Sequence, residues 1–121
     1  MPPSRARLAA VALDAREPEA LAWFWCAALG SSVVRRWDDA HGTSYVEVSL
    51  AGDVVLLFQR VAGSKAGKNR MHLDVAAPGD QRAEVERLVG LGARVLDEAP
   101  GHPWIVLADP EGNEFCVLPA R

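Results

Sequence analysis

Two short stretches of the sequence carry side chains whose types suit acid–base or metal chemistry. Arg70, His72 and Asp74 alternate with apolar residues in one stretch, and Glu114 and Cys116 do so in the other. Successive side chains of a strand point to opposite faces, so the members of each set would share one face. A few polar groups on an apolar concave surface are typical of a small-molecule site. We therefore predict that these five residues bind a ligand, and the sequence assigns none of them a catalytic role.

Three further residues are candidates for the same site. Tyr45 and Glu47 alternate with Val46 and Val48 on another predicted strand, which would place them on the face away from the core. Trp104 begins a predicted strand, where its ring would be available for stacking against a ligand at the rim.

Each candidate also has a simpler interpretation. His72 would be a structural histidine, and Cys116 a small buried apolar residue. Asp74 and Glu114 would pair with Arg70. If the side chains of His72 and Cys116 approach each other, the imidazole would instead lower the pKa of the thiol.

The elements that must position these residues follow one order twice. A strand, a helix and three strands are predicted from apolar periodicity and turn residues, and the order then starts again. Ala10 and His72 stand 62 positions apart, as do Gly30 and Gly92, so the halves keep register. The predicted elements are the first-half segments 8–14, 18–29, 33–37, 43–50 and 53–60, and the second-half segments 70–77, 80–91, 93–97, 104–108 and 114–118.

The segment 61–69 between the halves contains Lys65 and Lys68 and no acidic residue. It is predicted to be a solvated loop. A second interpretation is a mobile lid that attracts an anionic ligand.

Composition excludes several functional classes. The 121 residues carry a net charge of −3, which gives no general attraction to nucleic acid or to an anionic membrane. No apolar run approaches the roughly 18 residues of a membrane-spanning helix. The two cysteines, Cys26 and Cys116, are typical of a reducing compartment, and we expect a cytoplasmic protein.

The repeated order comes with specific motifs. The segments LDAREPEALAWFWCAALG, NRMHLDV, LVGLGARVLDE and VLADPEGNEFCVL resemble the glyoxalase/bleomycin resistance protein/extradiol dioxygenase superfamily, also called vicinal oxygen chelate. The resemblance extends from about Leu8 to Leu118 and is closest to small glyoxalase-like domain proteins. It implies two modules paired around a cleft, frequent dimers, and either a divalent metal held by ligands from four strands or sequestration of a drug.

The metal positions implied by the resemblance are only partly filled. They fall on Ala10, near Leu56, on His72 and on Cys116. A catalytic divalent metal needs about three protein ligands, so the sequence predicts no metal cofactor. The alternative is a divalent metal held by His72 with Glu114, or with Gln59 or Glu47 if the strand register differs.

These observations combine into one prediction. The fold is α+β, with two paired βαβββ modules that form a cup-shaped, barrel-like mixed sheet with helices outside. One glyoxalase-like domain spans 1–121, with modules at about 8–60 and 70–118 and a linker at 61–69. The protein would be a homodimer that binds a small organic molecule without a metal. The alternatives are a metal-dependent lyase, isomerase or dioxygenase of the superfamily, and a drug-sequestering resistance protein.

Overall fold

The computed structural model describes residues 5–121. The chain divides after Val61 into two compact units, and each contains one helix and one open four-stranded mixed sheet. The α+β class and the repeated βαβββ order are thereby confirmed. The single domain 1–121 stays a prediction, and its first four residues lie outside the described part. Neither helix in that part has the length and apolar character needed to cross a membrane.

The first unit contains β1 (Ala10–Ala15), α1 (Pro18–Leu29), β2 (Val33–Asp38), β3 (Ser44–Ala51) and β4 (Val54–Arg60). The strand order is β1-β4-β3-β2, with β1 parallel to β4 and the other pairs antiparallel. One sheet face and α1 enclose the core, whose largest fully buried side chains are Trp25, Phe24, Phe58, Leu21 and Leu56. These apolar side chains fix which face of each strand points away from the helix.

The bounds of α1 match the predicted span. Pro18 occupies the first turn, where the missing N–H would have no intrahelical acceptor. Gly30 ends the helix in the left-handed conformation at φ 67°, and its N–H donates to the carbonyl of Cys26.

The second unit contains β5 (Leu73–Ala76), α2 (Gln81–Leu91), β6 (Arg94–Asp97), β7 (Ile105–Ala108) and β8 (Glu114–Leu118). The order β5-β8-β7-β6 repeats that of the first unit, and β5 is parallel to β8. Asp80 caps α2 by accepting a hydrogen bond from the N–H of Ala83, as its position before the helix predicts. Val85 and Leu88 of α2 are buried, together with Leu107, Phe115 and Val117 of the sheet.

The strand predicted over 70–77 is shorter in the structure. Arg70 and Met71 form a bend, and β5 begins only at Leu73. Met71 is one of the apolar residues that alternate with Arg70, His72 and Asp74 in the sequence, but it is 78% exposed, because alternation does not extend into the bend. The predicted alternation of faces therefore holds for Asp74, which lies in β5, and not for Arg70, which lies in the bend.

A β-bulge occurs at equivalent places in β2 and β6, which are edge strands of the two sheets. The register shifts between Val33 and Arg35 in β2, and between Val95 and Asp97 in β6, 62 positions later. The extra residue is Val34 in one unit and Leu96 in the other, and both side chains are exposed. The internal repeat thus includes an irregularity of the backbone.

The register also locates one equivalence that the sequence predicts only as near Leu56. In the second unit, Asp74 of β5 is paired with Cys116 of β8. In the first unit, Ala12 of β1, the counterpart of Asp74, is paired with Leu57 of β4. The counterpart of Cys116 is therefore Leu57, and Leu56 is fully buried on the opposite, helix-facing side.

Candidate functional site

The face of the second sheet that points away from α2 carries a row of neighbouring side chains. Asp74, Cys116, Val106 and Asp97 occupy successive strands at paired positions. Their sequence neighbours Phe115, Val117 and Leu107 fill the core on the other face, so alternation directs the row outward. We call this surface the open face of the second unit.

Three candidates come together on this open face. A donor atom from each of His72, Asp74 and Cys116 lies within 4.8 Å of the other two. The Nδ1 atom of His72 lies 3.0 Å from Oδ1 of Asp74. A carboxylate only accepts, so Nδ1 carries the hydrogen, and in the neutral ring Nε2 keeps a lone pair. Asp74 thus orients the imidazole.

The thiol of Cys116 is not activated by this arrangement. Burial raises its pKa above the ordinary value, and the charge and hydrogen bond of Asp74 raise it further, against a weaker opposing effect of Lys68. The hypothesis that His72 lowers the pKa of this thiol is therefore wrong, because the nearest charged partner is an anion. Cys116 is 8% exposed, as the simpler interpretation expects.

A pocket of about 310 Å³ opens over this cluster, lined by His72, Asp74, Trp104, Cys116 and Leu118. Trp104 is stacked on the ring of His102, with centroids 4.4 Å apart and planes 8° from parallel. The pocket thus combines an indole and an isobutyl group with an imidazole, a carboxylate and a thiol. Such a mixture suits a small organic molecule with one or two polar groups.

Glu114 is engaged outside this pocket. Its Oε2 accepts from Nζ of Lys65 at 3.0 Å, and its Oε1 accepts from the backbone N–H of Asn69 at 3.0 Å. Asn69 also donates from Nδ2 to Oδ1 of Asn113 at 2.9 Å. Glu114 therefore pairs with Lys65, and Asp74 with His72, where the sequence offered Arg70 as the partner of both.

Burial by itself acts to raise the pKa of Glu114, but the N–H of Asn69 and the charge of Lys65 together outweigh it, so the pKa is lowered. The segment 61–69 is consequently docked at the start of β8. The interpretation of this segment as a mobile basic lid loses one of its cations, because the ammonium of Lys65 is already paired.

The turn before β8 is stabilised by the buried side chain of Asp109. Asp109 is 1% exposed, and its Oδ1 accepts from the N–H groups of Glu111 and Asn113 at 2.9 and 3.0 Å. Gly112 adopts φ 89°, where a side chain would be strained. This turn, which belongs to the motif VLADPEGNEFCVL, positions Glu114.

The other candidates belong to different segments of the chain. Arg70 is exposed in the bend before β5. Tyr45 and Glu47 belong to the first unit, where both face away from α1 as predicted. The Tyr45 ring is stacked on Trp37 at 4.8 Å, and its hydroxyl donates to Asp39 at 2.8 Å. Their role in ligand binding stays a prediction.

A sequence profile of the family described as "Glyoxalase-like domain" matches residues 10–118. The chain belongs to the glyoxalase-like domain family.

Solved structures share the fold of this glyoxalase-like domain at low sequence identity. A glyoxalase/bleomycin resistance protein/dioxygenase family enzyme from Burkholderia phytofirmans has 19% identity and a TM-score of 0.71, over 96% of this chain and 100% of that one. The trypanothione-dependent glyoxalase I of Leishmania major has 17% identity and a TM-score of 0.70, over 95% and 87%. The fosfomycin resistance protein FosX of Listeria monocytogenes, in a complex with Mn(II), has 14% identity and a TM-score of 0.75, over 94% and 92%. No curated protein matches the sequence.

The glyoxalase-like fold raises the question of a divalent metal. The cluster offers one nitrogen, one oxygen and one sulfur donor, which is the ligand chemistry of Zn²⁺ and the minimum for a catalytic site. The corresponding residues of the first unit, Ala12 and Leu57, offer none. The donor set therefore fits a thiophilic ion, although binding it would require deprotonating a thiol whose pKa is raised.

The sequence did not indicate two parts of this arrangement. His102 stands two residues before Trp104, and its stacking is visible only once the turn between β6 and β7 is formed. Lys65 and Glu114 are 49 positions apart, so their pairing depends on tertiary structure.

Proposed function

We propose that this glyoxalase-like domain binds a small organic molecule in the pocket over His72, Asp74 and Cys116, without a metal. The observation that carries the proposal is the pocket itself, where the Asp74-oriented imidazole lies beside the Trp104 indole. The imidazole and the carboxylate would orient a polar group of the ligand, and Trp104 and Leu118 would cover its apolar part.

Metal-free binding is favoured by the protonation of the cluster. The Asp74 carboxylate already accepts from the imidazole of His72, and it also interacts with the protonated Cys116 thiol. A metal would have to replace both interactions and release the thiol proton, which costs affinity at neutral pH.

Thermal-shift screening of matched acidic and basic aromatic compounds tests the proposal. Asp74 beside an indole favours a cationic group, so we expect stabilisation mainly by basic compounds. The stabilisation should fall at least severalfold in Trp104→Ala and persist in Trp23→Ala, which removes an exposed tryptophan of α1. Equal loss in both variants, or none in either, would contradict the proposal.

The same preference supports the drug-sequestering alternative. Among residues 5–121, those that line the pocket include a carboxylate and no lysine or arginine. A hit that is itself a cationic drug, bound and recovered chemically unchanged, would support sequestration. A hit that is converted into a product would support an enzyme.

A second candidate function is that of a metal-dependent lyase, isomerase or dioxygenase. The grouping of His72, Asp74 and Cys116 favours it, since these residues would hold the ion. When bound, the metal would supply Lewis-acid activation of a substrate oxygen. His72, oriented by Asp74, would remain the residue that fixes the geometry.

We further propose a cytoplasmic homodimer. Trp23 is 60% exposed on α1, which is unusual for an indole unless a partner covers it. Cys26 and Cys116 are both free thiols, as expected in a reducing compartment. Sedimentation at tens of micromolar should show twice the 13.0 kDa mass, and a monomer would contradict the proposal.

A further inference from the structure

The turn between β6 and β7 provides one wall of the pocket. This wall is Trp104, which is 40% exposed and lies flat against His102. The backbone beside it is held independently, because Nε2 of Gln81 on α2 donates to the carbonyls of Pro103 and Val117 at 2.7 and 2.9 Å. The indole itself is in contact with His102, which is therefore the side chain that can fix its orientation.

Both ring nitrogens of His102 face groups that only accept hydrogen bonds. Nδ1 lies 2.7 Å from the carbonyl oxygen of Trp104, and Nε2 lies 3.4 Å from Oδ2 of Asp97. A neutral imidazole has one N–H, so in that form one nitrogen would direct a lone pair at an oxygen. The ring donates to both acceptors only when it carries two hydrogens and a positive charge.

The charges around His102 agree with this protonation state. The pKa of Asp97 is lowered, first by the backbone N–H of Ala99 and then by His102, so the carboxylate is an anion near neutral pH. Glu98 on the same turn is paired with Arg82 of α2 at 2.6 Å. Across the pocket stand His72 and Asp74, which form their own pair.

We infer that His102 is a positioning residue whose doubly protonated ring holds Trp104 as the wall of the ligand pocket. The clamp consists of a stacked pair, closed at one end by the carbonyl of Trp104 and at the other by Asp97. Loss of the proton breaks one of the two hydrogen bonds and frees the indole to move. This inference rests on the proposed function for its consequence, which is weaker ligand binding once the ring has lost its second proton.

The test needs no ligand. The four tryptophans give four indole N–H signals in a ¹H–¹⁵N spectrum, and Trp104→Phe assigns one of them. Between pH 5 and 8 we expect the Trp104 signal to shift with the same midpoint as the ring protons of His102. His102→Phe keeps an aromatic ring but removes both donors, and should abolish the shift. His102→Arg stacks and donates at every pH, and should hold the signal at its low-pH position.

His72 is a second histidine, and it lines the pocket. The titration is therefore repeated in His72→Gln, where the Trp104 shift should persist with its midpoint unchanged. A shift lost in His72→Gln and retained in His102→Phe would overturn the inference. So would a Trp104 signal that does not respond to pH in the wild type. Neither result bears on whether the pocket binds a ligand.

Discussion

The Nζ atom of Lys65 lies 3.0 Å from Oε2 of Glu114, which joins the segment before β5 to the first residue of β8. Both side chains are mostly buried, with 20% and 16% of their surface exposed, so water screens the pair less than an ordinary surface pair. The ion pair, together with Asn69, joins residues 62–69 to the rest of the second unit and keeps the Lys65 ammonium engaged with Glu114.

Changing Glu114 to Gln should destabilise the protein by about 1–2 kcal/mol at pH 7, because two hydrogen bonds lose their charged acceptor. The folded-state pKa of Glu114 is lowered, so its stabilising effect is complete above the unfolded value of about 4.3 and is lost as the pH falls through the folded value. Denaturant melts at pH 7 and pH 3 should show the difference between variant and wild type shrinking in acid. A difference that is constant with pH would contradict the role of the charge.

His72→Ala should cost under about 1 kcal/mol of folding free energy, because the His72 side chain is well exposed and its loss removes no core contact. Leu107→Ala, which empties a fully buried position on the opposite face of the same sheet, should cost about 2–5 kcal/mol. Leu73→Ala should cost less folding free energy than Leu107→Ala, because Leu73 is only half-buried at the start of β5. Urea melts of the three variants check this order. A His72 variant as unstable as the Leu107 variant would make His72 a structural residue.

The thiol of Cys116 should react with iodoacetamide at pH 7.5 more slowly than a free cysteine, since it is buried and its pKa is raised. Asp74→Asn removes the charge that contributes to this rise, and should speed alkylation of Cys116 severalfold. Cys26, near Arg36 in the first unit, is the internal control and should be unaffected. Peptide mass spectrometry measures both rates. Unchanged Cys116 reactivity in Asp74→Asn would show that burial alone sets it.

Untagged protein should retain no stoichiometric divalent metal after extensive dialysis, because the cluster has three donors and one is a protonated thiol. Elemental analysis for zinc, nickel, manganese and iron checks this. Addition of Co²⁺ tests the alternative separately, since a bound thiolate gives an intense near-ultraviolet absorption that Cys116→Ser would abolish. Retained zinc together with this absorption would move the proposal to the metal-dependent candidate.

The extent of sequence prediction follows from the range of the interactions involved. The span of α1 was predictable because Pro18 and Gly30 act through the backbone next to them. The outward direction of Tyr45 and Glu47 was predictable because buried Val46 and Val48 impose the alternation. Local pattern therefore decided the elements and their faces.

The pairing register of the strands could not be predicted from local sequence pattern. The place of Cys116 beside Asp74 depends on a parallel pairing across 42 positions, and the counterpart of Cys116 in the first unit was predicted one residue from Leu57. The expected strand start at Arg70 failed because the bend there is held by long-range contacts of Asn69. A pairing or a contact of this kind leaves no trace in the periodicity of either segment.

The bulges of β2 and β6 have a consequence for how the protein behaves in a crowded solution. An outer strand with regular hydrogen-bonding groups is a template on which another chain can add a strand, which is the first step towards fibrils. An extra residue in the strand interrupts that row and twists it. Because the interruption occurs in both halves, each sheet has one edge strand at which the addition of a further strand is hindered. The exposed Val34 and Leu96 lie at these interruptions, where a regular edge strand with apolar side chains would favour aggregation.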